Sequence, residues 1–455
     1  MRRKSEAVLT FAWNNDRLPK SVLDWREKYK GISVALDQVP AILDAVHKDL
    51  LQLTEGNRRQ GRKADFTSET ILRALIVMMV EGLAYRETVI RIAESEFLQD
   101  FIRTRKKTVM DHTFLNKCFK AIAPATWKRV NELLAAHAVH EGCIQPNVIR
   151  TDTTVVECNI HWPTDSSLLW DSWRVASRVL RQARDLDASL VPNRFHDRKI
   201  KRLHLTVTRY SASPSKQRQR YVKQSYETLI TRVAWMVGIV EEFCVAANRS
   251  RSVTVMALGL KLADYLPSMR QVVDQATRAK IQEEKVPASE RVFSIFEPHT
   301  ELIKRGRRQK PVEFGHSVLL VQTKEKFISD YEAYEHKPAD CDLTKVVLDR
   351  HEKLFGQAPD VLAGDKGFCP DADTYSELEE RVGTLAIPRR MRDFVDKALS
   401  AWQAFRAGIE GTISGLKRAF RLARCHFRTF KSFQASIGLG VLCHNLIVLS
   451  PAVDT

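Results

Sequence analysis

The sequence predicts an α/β fold: a mixed sheet flanked by helices, with an all-helical domain before it and a mainly helical insertion after its first strand. Two strand-like segments that carry aspartates, and a helical pattern around Glu410, lead to this prediction. One segment is Asn147–Glu157, a β-branched run with Asp152 in its middle. The other is Val361–Phe368, in which a short apolar run ends at Asp365. Such segments pack as a sheet with helices on both faces.

Asp152 and Asp365 are the first two candidate catalytic residues. The middle of a β-branched strand is an awkward place for a carboxylate unless a site uses it, because burying an unpaired charge is costly. Glu157 is on the same run but five positions further on, so it points to the opposite face. Asp365 comes just before Lys366 and Gly367, as in a buried strand that delivers a carboxylate at its C-terminal edge.

The stretch around Glu410 predicts an amphipathic helix that carries the third candidate acid. Four polar residues fall on one side of this helix: Gln403, Arg406, Glu410 and Lys417. An apolar side, predicted to lie against the sheet, holds Trp402, Phe405, Ile409, Leu416 and Phe420. Gly408, Gly411 and Gly415 each cost the helix roughly 1 kcal/mol relative to Ala, so we expect something to approach its backbone closely. An ordinary helix with a solvated charged face is the alternative.

The rest of the sheet is predicted from shorter patterns. Residues 291–323 are typical of a hairpin, with alternation at Val292, Ser294 and Phe296 and a dense apolar strand at Val318–Val321. The hairpin's basic tip contains Arg307 and Arg308, and either DNA contact or a solvated turn explains it. A helix at Leu343–Phe355 and a fifth strand at Thr384–Pro388 complete the order of an RNase H-like domain.

These residues carry a resemblance to a family. Arg406, Glu410 and Lys417 match the R-x3-E-x6-K part of the Y-R-E-K signature of bacterial insertion-sequence transposases with a DDE triad. Asp152 and Asp365 resemble the first and second acids, and residues 291–323 are similar to the middle of the ISNCY type. The resemblance covers about residues 60 to 450. Where the signature has Tyr, this chain has Gln403.

The resemblance implies a DNA transposase that binds terminal inverted repeats and catalyses metal-dependent phosphodiester cleavage and strand transfer. Asp152, Asp365 and Glu410 would hold two Mg²⁺, with Mn²⁺ able to substitute, because hard divalent ions prefer carboxylate oxygens. Arg406 and Lys417 could hold phosphate oxygens; a salt bridge that positions Glu410 is the alternative. A metal-dependent nuclease of the same fold without strand transfer, and an inactive DNA-binding relic, remain alternative functions.

Composition agrees with a polyanionic partner. The 455 residues include 72 Lys or Arg against 55 acids, a formal net charge of +17. We expect double-stranded DNA (element ends and target) as the partner, a homodimer on paired ends, no membrane, and a cytoplasmic, nucleoid-associated protein. The eight cysteines form no C-x-x-C pair, which favours reduced thiols in the cytosol. The Cys-His pairs at 425–426 and 443–444 fit no common zinc spacing.

Two basic segments are candidates for DNA contact. Residues 194–223 hold ten Lys or Arg against one acid, Asp197, which favours phosphate contact over a solvated face. The candidates within it are Arg198, Lys199, Lys201 and Arg202. After Glu410, a basic series with helical spacing predicts a one-sided stripe along a helical C-terminus: Lys417, Arg421, Arg424, Arg428 and Lys431.

The predicted domains are an N-terminal arm with a basic linker (1–63), a helical, DNA-binding domain (64–143), the catalytic domain (144–159 and 291–455) and the basic insertion (160–290). In the helical domain, a helix-turn-helix and a plain helical domain that packs on the catalytic one are both compatible with the pattern. The helices predicted across these domains are Val39–Leu53, one capped by Thr67 or Ser68, Arg86–Ser95, one starting at His112 or Thr113, Asp165–Asp185, Tyr226–Ala247 and Leu258–Lys280.

Overall fold

The computed structural model describes residues 2–6, 13, 15–53, 66–104, 109–305, 310–389 and 397–450, without the side chains of 397–399. Arg307 and Arg308, predicted at the hairpin tip, lie outside the described residues. The strands are β1 (Val148–Cys158), β2 (Glu301–Lys304), β3 (Val312–Thr323), β4 (Ile328–Ala333), β5 (Val361–Ala363), β6 (Thr384–Ala386) and β7 (Arg424–Cys425). The helices before β1 are α1 (Lys20–Gln38), α2 (Pro40–Leu51), α3 (Ser68–Val80), α4 (Tyr85–Ala93), α5 (Glu96–Phe101), α6 (His112–Ala121) and α7 (Pro124–His140). Those after it are α8 (Asp165–Leu186), α9 (Asp197–Tyr210), α10 (Lys216–Asn248), α11 (Val253–Lys280), α12 (Leu343–Phe355), α13 (Ala372–Arg381), α14 (Lys397–Ala419) and α15 (Phe430–Leu449).

The strands form one seven-stranded mixed sheet. Its order is β2-β3-β1-β5-β6, with β4 also paired to β3 and β7 to β1. The pairs β1–β5 and β5–β6 are parallel, whereas β2–β3 and β3–β4 are antiparallel. The first strand is therefore central, with a hairpin on one side and two parallel strands on the other. This arrangement confirms the predicted fold class and agrees with an RNase H-like DDE transposase fold.

The chain divides into two compact units. Unit 1 comprises Met1–Glu157 and His316–Thr455, and unit 2 comprises Cys158–Gly315. The boundaries fall inside β1 and β3, because both strands continue from one unit into the other. Unit 1 therefore contains the N-terminal helices together with most of the sheet.

Helix α15 is the central apolar element of unit 1, and α1, α3 and α7 pack against it. It is long and apolar enough to cross a membrane by composition, but 72% of its apolar window is buried inside the protein. Burial to this extent is what a core helix of a folded domain shows. Helix α3 begins where the sequence predicts, since Thr67 caps it by accepting a hydrogen bond from the Thr70 N–H.

Unit 2 is built mainly from α8, α9, α10 and α11, which share one apolar core. Trp173 and Phe243 are its largest fully buried side chains among the described residues. Helices α8 and α11 end close to the predicted residues, while α10 begins at Lys216 rather than at Tyr226. The basic run therefore forms α9 and the first turns of α10.

Two predictions of local structure are wrong. Residues 292–296 form no strand, because the Ser294 hydroxyl accepts hydrogen bonds from the Phe296 and Glu297 N–H groups and bends the chain. The antiparallel partner of β3 is instead β2, Glu301–Lys304. The sequence pattern also missed α1.

The basic stripe along a helical C-terminus is the second wrong prediction. Helix α14 ends at Ala419, and Arg421 has a φ of 55°, which interrupts the helix. Arg424 then lies in β7, and Arg428 lies between β7 and α15. The cations from Arg421 to Arg428 therefore recur at helical spacing in the sequence but do not lie on a helix.

Candidate active site

Parallel pairing of β1 with β5 places Asp152 and Asp365 side by side. The register pairs Ile149 with Leu362 and Arg150 with Ala363, and each aspartate follows two residues later on its own chain. β5 ends at Ala363, whereas β1 continues to Cys158, so Asp365 lies at the sheet edge formed by the carboxyl end of β5, and Asp152 lies beside that edge in the middle of β1. Asp152 is 16% exposed, and Asp365 is partly exposed.

Helix α14 lies against this sheet through the predicted apolar side. Ile409, Leu416 and Phe420 are buried. Trp402 and Phe405 pack on the buried side chains of Val361, Ala363 and Ala386 in β5 and β6. Glu410 lies on the opposite, polar side of the helix, where its side chain is 66% exposed.

Arg406 lies between two of the three acids. Its Nη1 is 3.5 Å from Asp152 Oδ2, and its Nη2 is 3.4 Å from Glu410 Oε1. The Arg406 side chain is 17% exposed, and its Nε has no hydrogen-bond partner among the described residues. These contacts correspond to the predicted alternative in which a salt bridge positions Glu410.

The pKa of Asp152 is raised to about 6. Burial is the largest cause, because it penalises the charged form, and the negative charge of Asp365 adds to it. The Thr153 N–H and Arg406 oppose this shift, while Glu410 contributes to it. Arg406 therefore only partly compensates the acids that surround Asp152.

Asp365 ends its strand in a short turn. Its Oδ1 accepts a hydrogen bond of 2.8 Å from the Gly367 N–H, which fixes the carboxylate at the start of a 3₁₀ turn. A fourth acid, Asp340, is close by: it accepts a 3.1 Å hydrogen bond from the Thr153 hydroxyl, and a Cβ built at Gly367 would lie 3.7 Å from its Oδ2. The sequence does not predict a role for Asp340, because nothing in the surrounding residues marks it as part of a site.

Gln403 has a defined place at the position where the signature has Tyr. Its amide Nε2 donates to the carbonyl oxygens of Gly364 and Ala386, at 3.1 and 3.0 Å. Gly364 directly precedes Asp365, and Ala386 ends β6. Gln403 thus joins α14 to the ends of two strands, one of them next to the second acid.

The remaining predicted phosphate contacts in unit 1 occupy different surroundings. Lys417 is half-buried and, with Thr154, Leu416 and others, lines a small cavity on the sheet side of α14. Arg424 is paired with Glu157 at 2.9 Å. Arg421 and Arg428 are exposed.

The basic residues of α9 belong to unit 2. Ile200 and Val207 bury one side of this helix, whereas four cations on it are exposed: Arg198, Lys199, Lys201 and Arg202. None of the four forms an ion pair with a described residue. Asp197, the one acid of the run, is 2.6 Å from Arg181 and accepts a hydrogen bond from the Trp173 indole. Among the described residues, Asp197 therefore does not neutralise any of these four cations.

Residues 298–446 match the family described as Transposase DDE domain. The match supports a DDE transposase family. Such a domain indicates a nucleotidyl-transfer enzyme that acts on DNA, and the family generally uses divalent metals. The matched residues contain Asp365 and Glu410, while Asp152 precedes them, so the assignment of Asp152 depends on its place in the sheet. No curated protein and no solved structure matches the chain significantly.

Proposed function

We propose that the chain is the DNA transposase of a bacterial insertion sequence, which binds terminal inverted repeats and catalyses cleavage and strand transfer. The observation that carries the proposal is the meeting of Asp152 and Asp365 at one sheet edge, with Glu410 joined to Asp152 through Arg406. The match to a DDE domain supports the same reaction class.

The donor set fits divalent cations. The three candidate ligands are all carboxylates, and burial together with the negative charges of Asp365 and Glu410 raises the pKa of Asp152. The oxygens of the three acids do not all lie within 4.8 Å of one another. Asp152, Asp365 and Glu410 would together hold two divalent ions. Mg²⁺ is the expected metal, with Mn²⁺ as a substitute.

When bound, such ions stabilise the charge that develops on the attacking and leaving oxygens of the phosphodiester. The protein's own groups do the positioning. Asp152 and Asp365 are fixed by the strands, and Arg406 holds Glu410 towards them at 3.4 Å. The exposed cations of α9 attract DNA phosphates without regard to base sequence, because they contact only the backbone.

The domain roles follow from the same proposal. Residues 144–159 and 291–455 form the catalytic domain, residues 160–290 grip DNA, and residues 64–143 contribute further DNA contacts. Two copies would act together on paired element ends.

A strand-joining assay tests the proposal. The wild-type protein is incubated with Mg²⁺, a labelled duplex that ends in the element's terminal repeat with a free 3′-OH, and a target plasmid. We expect labelled joined product that requires the repeat sequence. Cleavage of an unprocessed end without joining would identify a nuclease instead, and DNA binding without either reaction would identify an inactive relic.

The genomic flanks give an independent check. We expect matched inverted repeats a short distance outside the gene, and they supply the duplex for the assay. Flanks without such repeats would contradict the proposal.

A further inference from the structure

Arg150 is a buried cation in the strand that carries Asp152. It lies two residues before Asp152, so both side chains project from the same face of β1. Only 5% of Arg150 is exposed, and burial lowers its pKa. A buried guanidinium is costly unless hydrogen bonds satisfy it, so its contacts indicate what it does.

All the described contacts of Arg150 tie α14 to the sheet. Its Nη1 donates to the Phe405 carbonyl oxygen at 2.6 Å, and its guanidinium lies 4.7 Å from the centre of the Phe405 ring. Its Nε donates to Gln322 Oε1 on β3 at 2.8 Å. Gln322 in turn donates to the Thr412 hydroxyl at 2.7 Å. The network therefore holds α14 at two points, Phe405 and Thr412.

The two anchor points lie on either side of the residues that face Asp152. Arg406 directly follows Phe405, and Glu410 lies two residues before Thr412. A shift of α14 along its axis by one residue would move both side chains by about 1.5 Å. The network thus fixes how far along the sheet edge Glu410 reaches.

Gly408 makes this approach possible. A Cβ at Gly408 would overlap Arg150 Nη1 and lie 3.0 Å from its Cζ. By contrast, nothing described lies within 4 Å of a Cβ built at Gly411 or Gly415. The close approach expected from the glycines therefore occurs at one of the three, and the approaching group is the Arg150 guanidinium.

We propose that Arg150 is a positioning residue, which sets the placement of α14 through Phe405, Gln322 and Thr412 so that Glu410 can share divalent cations with Asp152. The inference rests on the proposed function and adds a residue to it. It implies that small displacements of α14 weaken metal binding in a protein that is still folded, because the residues that orient metal ligands contribute to metal affinity.

Mn²⁺ binding tests the proposal without DNA or turnover. Free Mn²⁺ is titrated against the full-length protein by electron paramagnetic resonance, and melting temperature is measured on the same samples. The main variant is Gly408→Ala, which pushes on Arg150, and Gly415→Ala is its matched control on the same helix. We expect Gly408→Ala to raise the Mn²⁺ dissociation constant about 10- to 100-fold, as supporting-shell changes do, and Gly415→Ala to leave it unchanged.

A second pair of variants addresses the other anchor. Thr412→Val removes the hydroxyl that Gln322 contacts and keeps the side-chain shape, whereas Thr412→Ser keeps the hydroxyl. We expect weaker Mn²⁺ binding in Thr412→Val and wild-type binding in Thr412→Ser. Arg150→Lys, which keeps the charge but replaces the planar guanidinium and its separate Nε and Nη1 donors with one ammonium group, should weaken binding as Gly408→Ala does.

The outcomes separate the two proposals. Wild-type Mn²⁺ affinity in Gly408→Ala and Thr412→Val, with only a lower melting temperature, would overturn the positioning role and leave the proposed function intact. Equal Mn²⁺ binding by the wild type and Asp152→Asn would instead overturn the metal site itself, and with it both proposals.

Discussion

The acid-bearing edge of unit 1 and the α9 face of unit 2 use charge in opposite ways. At the edge, charged groups are held by neighbours: Arg406 contacts Asp152 and Glu410, and Asp365 is fixed by a backbone N–H. On α9, four cations are exposed and unpaired within the described residues, because the nearby Asp197 is engaged by Arg181. A held charge can direct a reaction, whereas an exposed charge mainly attracts a partner. Breaking one region should therefore change turnover, and breaking the other should change affinity.

The largest expected effect comes from the edge. Asp152→Asn, Asp365→Asn or Glu410→Gln should each lower DNA cleavage at least about 1,000-fold, because a neutral isostere cannot hold two divalent ions. Binding to end DNA should persist, since each change removes negative charge. Single-turnover cleavage and a binding titration check this. Mg²⁺-dependent cleavage retained in Glu410→Gln would place the third acid elsewhere, with Glu377, Glu379 and Glu380 as the next candidates.

The α9 face should respond in affinity instead. Reversal of Arg198, Lys199, Lys201 and Arg202 to Glu should weaken binding to all DNA sequences about equally. The plot of log affinity against log salt should flatten by roughly 0.9 for each lost duplex phosphate contact. Reversal of the exposed Arg249 and Arg251, at the far end of α10, is the control for charge alone. If affinity and salt slope stay at wild-type values, α9 is only a solvated face.

Lys417 tests whether a cation on α14 takes part in catalysis or only supports the packing of the helix. If the Lys417 ammonium contacts a phosphate in the transition state, Lys417→Ala should lower the rate of strand joining more than it lowers the affinity for DNA. The loss in rate should correspond to a few kcal/mol of activation free energy at most. The exposed Arg418→Ala is the neighbouring control. Single-turnover joining and melting temperature are measured together. A variant that melts earlier but joins normally when folded would show that Lys417 supports the packing of α14.

The last expected effect concerns the stability of unit 1 in the absence of DNA. Burial lowers the pKa of His351 on α12 to about 4, so the folded state favours the neutral ring. Below pH 6.5 the ring takes up a proton in the unfolded chain before it does so in the folded protein. The free energy of unfolding therefore falls by about 3 kcal/mol between pH 6.5 and pH 4 and does not depend on this ring above pH 6.5. His351→Leu should make stability less dependent on pH in this range, as measured by urea unfolding. His196→Leu, at an exposed site in unit 2, is the control, and equal pH dependence in all three proteins would contradict the prediction.

The sequence predicts the parts of the site that local patterns encode. β-Branched and apolar runs mark the strands of Asp152 and Asp365, and helical periodicity marks the side of α14 that lies against the sheet. Arg150 was beyond such patterns, because its partners Gln322 and Phe405 are 172 and 255 residues away along the chain. Its one local signal is an arginine inside an apolar strand, on the same face as the acid.

The wrong basic stripe has a related cause. From Lys417 onwards the cations recur at helical spacing, but Phe420 and Leu422 are both buried although only two residues apart. That spacing requires a change of direction, which the positive φ of Arg421 provides. A positive φ is predicted from sequence mainly at glycine, so an arginine at this position gives no local signal of the conformation.

The division of β1 and β3 between two units also has a topological consequence. After β1 ends at Cys158, the chain runs through residues 159–300 before it re-enters the sheet in β2, which pairs with β3, so these residues form one long connection between strands. The entropy cost of closing a loop grows only by about 0.6 kcal/mol for each doubling of its length. A loop at this point can therefore be lengthened, shortened or replaced by a different folded module while the pairing that aligns Asp152 with Asp365 stays the same. Variation in this connection therefore need not disturb the strand pairing that brings the two aspartates together.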